Sequence, residues 1–220
     1  MKQAGQRQLA TYTLPLQGKT LTEQMVQYLE AFDHAETAVH NLAVAQEAKG
    51  LAERFQVNAD KAYSAGLLHD VSVVIPNDQR IALQIAVGEP ILDAERQAPF
   101  LLHQQQSALL AKTVFQVSDP EILSAISCHT TLKAQYSRLD LIVFLADKIK
   151  WDRKDQAPFL TGLLERLDDS LESAAGYYMD WLFAGDLVVP HPWAVAAKAK
   201  LANTLMSEGT KPKRHGLQLE

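Results

Sequence analysis

From Asp33 onward, apolar residues recur at three- and four-residue intervals: Ala35, Ala38, Val39, Leu42, Ala45, Leu51, Ala52 and Phe55. That is the period of an amphipathic helix, and strand-like alternation is rare along the chain. Asp33 with Glu36 three residues on resembles a capping box, which predicts the first core helix from there. Asn58 can cap a second helix that carries Ala62, Ala65, Leu67 and Leu68 and delivers His69-Asp70 near its C-terminal end. Pro76 and Asn77 then break the pattern.

A further helix is predicted from near Pro99 through Leu101, Leu102, Leu109, Leu110 and Phe115. In "SDPE" at 118–121, Ser118 serves as cap and Glu121 as N3 of a short helix ending around "CHTT". The stretch "RLDLIVFLADKIKW" at 138–151 is apolar almost throughout before Asp147 and predicts a central buried helix. Later helices are expected over 158–183 and 192–206. The fold class is all-α, with an N-terminal extension over 1–32, a helical domain over 33–206 and a C-terminal tail over 207–220.

With 220 residues and 47% hydrophobic content, the chain can bury a substantial core without covalent staples. Its one cysteine, Cys128, has no intramolecular partner, and the N-terminus lacks a secretory pattern, so a cytoplasmic protein is expected. A formal charge of -5 argues against a broad nucleic-acid footprint, while a local cluster can still hold a phosphate-bearing small molecule. "LIVFLA" at 141–146 is too short to span a bilayer, so no membrane partner is expected.

The charged pair His69-Asp70 interrupts the apolar run "AGLLHDVSVV" at 65–74, and a buried carboxylate beside an imidazole is costly unless something pairs with it or binds to it. His40, His103, His129 and Asp147 likewise fall where apolar helices should be buried. Imidazoles and carboxylates arriving from different helices suit a first-row ion such as iron, manganese or zinc in the core of a bundle. The spacing is not that of a zinc finger. Cys128 reads as a small core residue, and Tyr177, Tyr178, Trp181 and Phe183 read as core packing. His34, His215 and the "KIK" and "KPKR" clusters read as solvated positions.

Taken together, "LLHD" after a helix bearing His40, then "LLH" at 101–103, "ISCHTT" at 126–131 and "VFLADKIKWDR" at 143–153 resemble the HD-domain phosphohydrolases. Within them the YqeK-type symmetrical diadenosine tetraphosphate hydrolases are most similar, over roughly residues 33–200. The resemblance implies an HD-type helical bundle with an iron ion in its core, held by His40, His69, Asp70 and Asp147. It also implies that His103, His129, Thr130 and Arg153 meet the nucleotide phosphates, and that His191 in "PHPWAV" lies near the base. Manganese or another first-row ion is the alternative cofactor, ADP or a dinucleoside polyphosphate the expected ligand, and a homodimer is compatible.

The chain departs from the family pattern at Asn41-Leu42-Ala43, at Val73 and in "QQQS" after His103, changes that spare the metal positions and alter the surrounding shell. On this reading the catalytic residues are Asp70, which can orient a water, and His103 and His129, which can carry a proton to the phosphate or the leaving oxygen. Arg153 can hold phosphate oxygens in a bidentate fork. The implied function is symmetrical hydrolysis of diadenosine tetraphosphate to two ADP. The alternatives are hydrolysis of another nucleotide, or a nucleotide-binding regulatory module without turnover.

Overall fold

A computed structural model describes residues 3–151, 157–185, 187 and 189–209. Among the described residues there are twelve α-helices and no strand, as the periodicity predicts. Much of the stretch expected as an N-terminal extension is helical. It forms α1 (Gln3–Ala10) and α2 (Leu21–Ala31), which with the turn after α1 place Leu9, Tyr12, Met25, Tyr28 and Leu29 in the core. A capping box opens α2, with Thr20 and Glu23 each accepting the other's backbone N–H.

Next comes α3 (Ala35–Arg54), whose N-cap is His34 with no side-chain cap bond. The Asp33–Glu36 capping box does not form, because Asp33 is spent on the sharp reversal from α2 and adopts a left-handed φ of 63°. As expected, Asn58 caps α4 (Ala59–Leu68), accepting the Lys61 N–H at 3.0 Å. After His69-Asp70 the chain makes a 3-10 turn at Val71–Val74. It then forms α5 (Asn77–Val87) where the sequence shows only a break, with Gly88 in the left-handed region closing the helix.

Beyond α6 (Asp93–Gln97), the 3-10 turn Pro99–Leu102 feeds α7 (His103–Thr113). The cap of α8 (Pro120–Ser127) is Asp119, not Ser118: its Oδ1 accepts the N–H groups of Glu121 and Ile122. Proline at the first helical position fixes the cap one residue before it. The expected central helix is α9 (Arg138–Ile149), buried without interruption from Leu139 to Ala146. One predicted helix over 158–183 is two, α10 (Leu160–Leu167) and α11 (Leu171–Ala184), because Ser170 accepts the Ser173 N–H and restarts the chain. The last helix is α12 (Pro192–Gly209).

What positions the site is the contact of α3, α4 and α9 at the centre. A Cβ added at Gly66 would stand 2.9 Å from Ala45 Cα, so α4 meets α3 backbone to backbone. Beside that contact, buried Asn41 donates its Nδ2 to Leu67 O at 3.0 Å. Such an approach brings His40 on α3 and His69 at the end of α4 to ring centroids 5.2 Å apart.

Candidate metal centre

Helix ends supply three of the four histidines in the same way. A helix leaves its last carbonyls without intrahelical partners. His69 follows α4, His103 follows a 3-10 turn and His129 follows α8. Each ring turns Nδ1 back to the carbonyl three residues earlier, at Gly66 (2.7 Å), Phe100 (2.6 Å) and Ile126 (2.8 Å) respectively. Donation from Nδ1–H fixes the tautomer and leaves each Nε2 lone pair facing inward.

The inward atoms converge on two carboxylates. Asp147 Oδ1 lies 3.4 Å from His40 Nε2 and 3.5 Å from His69 Nε2. Asp70 presents Oδ2 at 3.6 Å from His69 Nε2, and Oδ1 at 3.3 Å from His129 and 3.5 Å from His103. Two overlapping groups can hold an ion, His40/His69/Asp147 and His69/Asp70/His129, and they share His69. The second of these groups includes His129, which the resemblance assigns to the nucleotide phosphates; nothing in "CHTT" tells that its Nε2 turns toward Asp70.

The donor set fits a cation. Among the described residues, fully buried His69 Nε2 has no hydrogen-bond partner and aims its lone pair at two acid oxygens, an arrangement that repels unless a positive charge stands between them. Donors about 2.1 Å from one first-row ion, at angles near 90–110°, are roughly 3.0–3.4 Å apart, close to the separations seen. Without the ion, burial opposes charge on His69, but Asp70 and Asp147 overcome it and raise the imidazole to about 9. Burial also opposes ionisation of Asp70 and Asp147. The imidazoles around Asp70, and Lys148 with His40 and His69 around Asp147, nevertheless hold both carboxyls well below the usual range. Lys148 is buried, donating to Asp147 Oδ2 at 2.6 Å and to His129 O at 3.2 Å.

Around this floor the chain leaves a cleft of about 400 Å³. It is lined by His40, Asp70, His103, His129, Thr130 and Asp147, and also by the apolar Phe100, Leu182 and Val189 and by Trp181. Tyr178 meets Phe159 edge-to-face and Trp181 meets it at a tilt, as expected of core aromatics, yet both also line the cleft. Burial pulls His103 down to about 4 despite Asp70 nearby, which leaves its ring neutral, and its Nε2 lies 2.8 Å from Thr130 Oγ1 and 3.0 Å from His129 Nε2. His191 also lines the cleft, but both its ring nitrogens are engaged internally: Nδ1 accepts the Trp193 N–H at 3.1 Å and Nε2 faces Glu95 Oε1 at 3.4 Å. Arg153 lies outside the described residues.

The family model of the HD domain matches residues 37–152, just over half of the chain, a span that includes all four expected metal positions. The chain belongs to the HD domain family. Relatives of this HD domain include a Lactococcus lactis subsp. cremoris protein named "Uncharacterized protein in pepC 5'region", 48% identical over 68% of this chain and 76% of that one. The probable nicotinate-nucleotide adenylyltransferase/Ap4A hydrolase of Mycoplasma genitalium is 37% identical over 53% of this chain and 33% of its own length. The symmetrical bis(5'-nucleosyl)-tetraphosphatase of Staphylococcus aureus is 30% identical over 50% of this chain and 57% of its own. Thus the matching part spans about a third of the Mycoplasma relative and just over half of the Staphylococcus one. A solved structure from Clostridium acetobutylicum, described as a predicted HD superfamily hydrolase involved in NAD metabolism, superposes with a TM-score of 0.75 at 26% identity. That match covers 86% of this chain and all of the other. No helix among the described residues is long and apolar enough to cross a membrane.

Proposed function

We propose that this HD phosphohydrolase cleaves diadenosine tetraphosphate symmetrically, with iron held by His40, His69, Asp70 and Asp147. Water adds across the central phosphoanhydride, between the second and third phosphates, and each half leaves as ADP. The observation that carries this reading is a single cleft lined both by carboxylates and imidazoles suited to a metal and phosphates and by apolar side chains, Phe100 and Trp181 among them, suited to a nucleobase. The names of the Mycoplasma and Staphylococcus relatives support the same substrate.

When bound, the ion supplies a water of lowered pKa and an electrophile for phosphoryl oxygen. The chain's own groups do the rest. Asp70 orients the attacking water. His103 accepts the Thr130 hydroxyl in its neutral form, and with His129 it can take up a proton as negative charge develops on the phosphates. Arg153 is proposed to hold phosphate oxygens, and Phe100 and Trp181 to pack the base. His191 supports that wall through its ring face, its nitrogens being committed to Trp193 and Glu95.

The test is elemental analysis of the purified protein together with chromatography of the products from diadenosine tetraphosphate, for the native chain and for His69→Ala with Asp147→Ala. Stoichiometric iron and ADP as sole product, both lost in the double variant, are expected. ATP plus AMP would overturn the symmetrical assignment. Metal without turnover would overturn hydrolysis of this substrate and favour a nucleotide-binding role.

A further inference from the structure

The run Gln104-Gln105-Gln106 directly follows His103, and neither an apolar core nor a solvated face calls for three consecutive amides. Gln104 and Gln106 are buried, at 0% and 1% exposure. Buried amides persist where their hydrogen bonds are met. Successive residues of a helix point about 100° apart, so three in a row reach three different neighbours.

Each of the three reaches a different set of neighbours, two of which lead to residues of the cleft. The Gln104 carboxamide oxygen accepts the backbone N–H groups of Thr130 and Thr131, both at 3.2 Å, and its Nε2 donates to Thr131 Oγ1 at 3.0 Å. That clamps the loop bearing His129 and Thr130 beside His103. The same loop contains Leu132 at a φ of 56°, a left-handed conformation costly for leucine that persists only where the surroundings impose it. Gln105 donates to Glu95 Oε1 at 2.6 Å, and that same oxygen faces His191 at the start of α12. Gln106 accepts from Arg80 Nη1 at 2.8 Å, while Arg80 donates to Ser72 O at 3.0 Å, two residues beyond Asp70. Gln84 of α5 braces the group by donating to Gln105 Oε1 at 3.1 Å.

We propose that Gln104, Gln105 and Gln106 are positioning residues that fix the cleft from one helix, Gln104 setting the phosphate-facing His129–Thr130 loop and Gln105 setting the wall at His191. The kinetic part of this proposal rests on the hydrolase reading above, and the positional part does not. None of the three amides acts on the reacting atoms directly. They act through the groups they hold.

The experiment compares Gln104→Leu, Gln104→Glu and Gln105→Leu with the native chain. Readouts are the ring Nδ1–H proton resonances of the buried histidines by NMR, metal content, thermal stability, and kcat and KM on diadenosine tetraphosphate. For Gln104→Leu, the His129 resonance is expected to shift or broaden while that of His69 stays in place, with metal content kept, kcat down about 10- to 100-fold and KM within about twofold. Gln104→Glu keeps an acceptor for both threonine N–H groups, and should restore the His129 resonance and most of kcat. Gln105→Leu is expected to raise KM about tenfold with kcat nearly unchanged. An unmoved His129 resonance in Gln104→Leu would overturn the proposal, as would a loss of kcat that merely follows the fall in melting temperature in all variants. A native chain inactive on this substrate defeats the hydrolase reading instead, and the NMR comparison still decides the positioning role.

Discussion

His103 and His129 face each other through their Nε2 atoms at 3.0 Å, while each ring has given its Nδ1 to a backbone carbonyl. Both Nε2 atoms also lie within 3.5 Å of Asp70 Oδ1, so the two rings border the same part of the candidate site, where the proposed hydrolysis calls for a proton carrier. His103→Gln keeps a polar side chain but removes the proton carrier. It should lower kcat about 10²- to 10⁴-fold with metal content unchanged, as checked by steady-state kinetics and elemental analysis.

Metal binding at the proposed site should couple to folding, because without the ion the buried His69 carries a proton between the carboxylates and the ion takes that proton's place. At a metal concentration 100 times Kd, the ion adds about 2.7 kcal/mol of stability, worth roughly 5–10 °C in melting temperature for a chain of this size. A chelator should remove that increment from the native protein and leave His69→Ala unmoved. Scanning calorimetry with and without chelator reads both.

For the metal-stripped protein the pH dependence follows from His69, whose folded-state pKa is raised from 6.5 to about 9. A raised pKa means that the folded chain holds the proton more tightly than the unfolded one. The contribution is therefore complete below pH 6.5 and is lost as pH rises to about 9. Asp70 and Asp147 are shifted the other way, and their contribution is present above the ordinary carboxyl range and lost on acidification. Stripped protein should melt at falling temperature between pH 6.5 and 9. Metal-loaded protein should not, since the ion replaces the His69 proton. Melting curves across that window decide it.

Gly66 stands where α3 and α4 touch, with Ala45 Cα 2.9 Å from the position of an added Cβ. Gly66→Ala must push apart the helices carrying His40 and His69. A cost of about 1–3 kcal/mol is expected, with a drop in metal affinity that a surface Gly50→Ala change, which meets nothing within 4 Å, does not produce. Denaturant melts and metal titration of both variants check this.

Cys128 is fully buried, and burial pushes its thiol up to about 12. Its thiolate is therefore scarce at pH 8. A thiol reagent should leave the native protein unlabelled over a time in which the denatured chain reacts completely.

Most of the scaffold was legible in local signals. The helical period, the Asn58 cap and the apolar run of α9 predict elements that form, because period, cap chemistry and burial there agree. The errors fell where neighbours compete for a residue. Asp33 could cap α3 or turn the chain, and the tight link from α2 made it the turn. α5 is absent from the sequence reading because Pro76 and Asn77 at its start read as a break when seen without the packing that buries Leu83 and Arg80.

At the site, the sequence by itself determined which residues are chemically out of place in an apolar setting: His40, His69-Asp70, His103, His129 and Asp147. Each violates the burial rule locally, and that can be read without coordinates. Only the tertiary structure decided that His129 belongs with His69 and Asp70, that His191 spends both nitrogens inside the protein, and that "QQQS" braces the cleft. Those facts depend on where a ring or amide points across contacts between residues distant in the chain. Period and composition carry no record of that direction; the packing of α3, α4, α7 and α9 sets it.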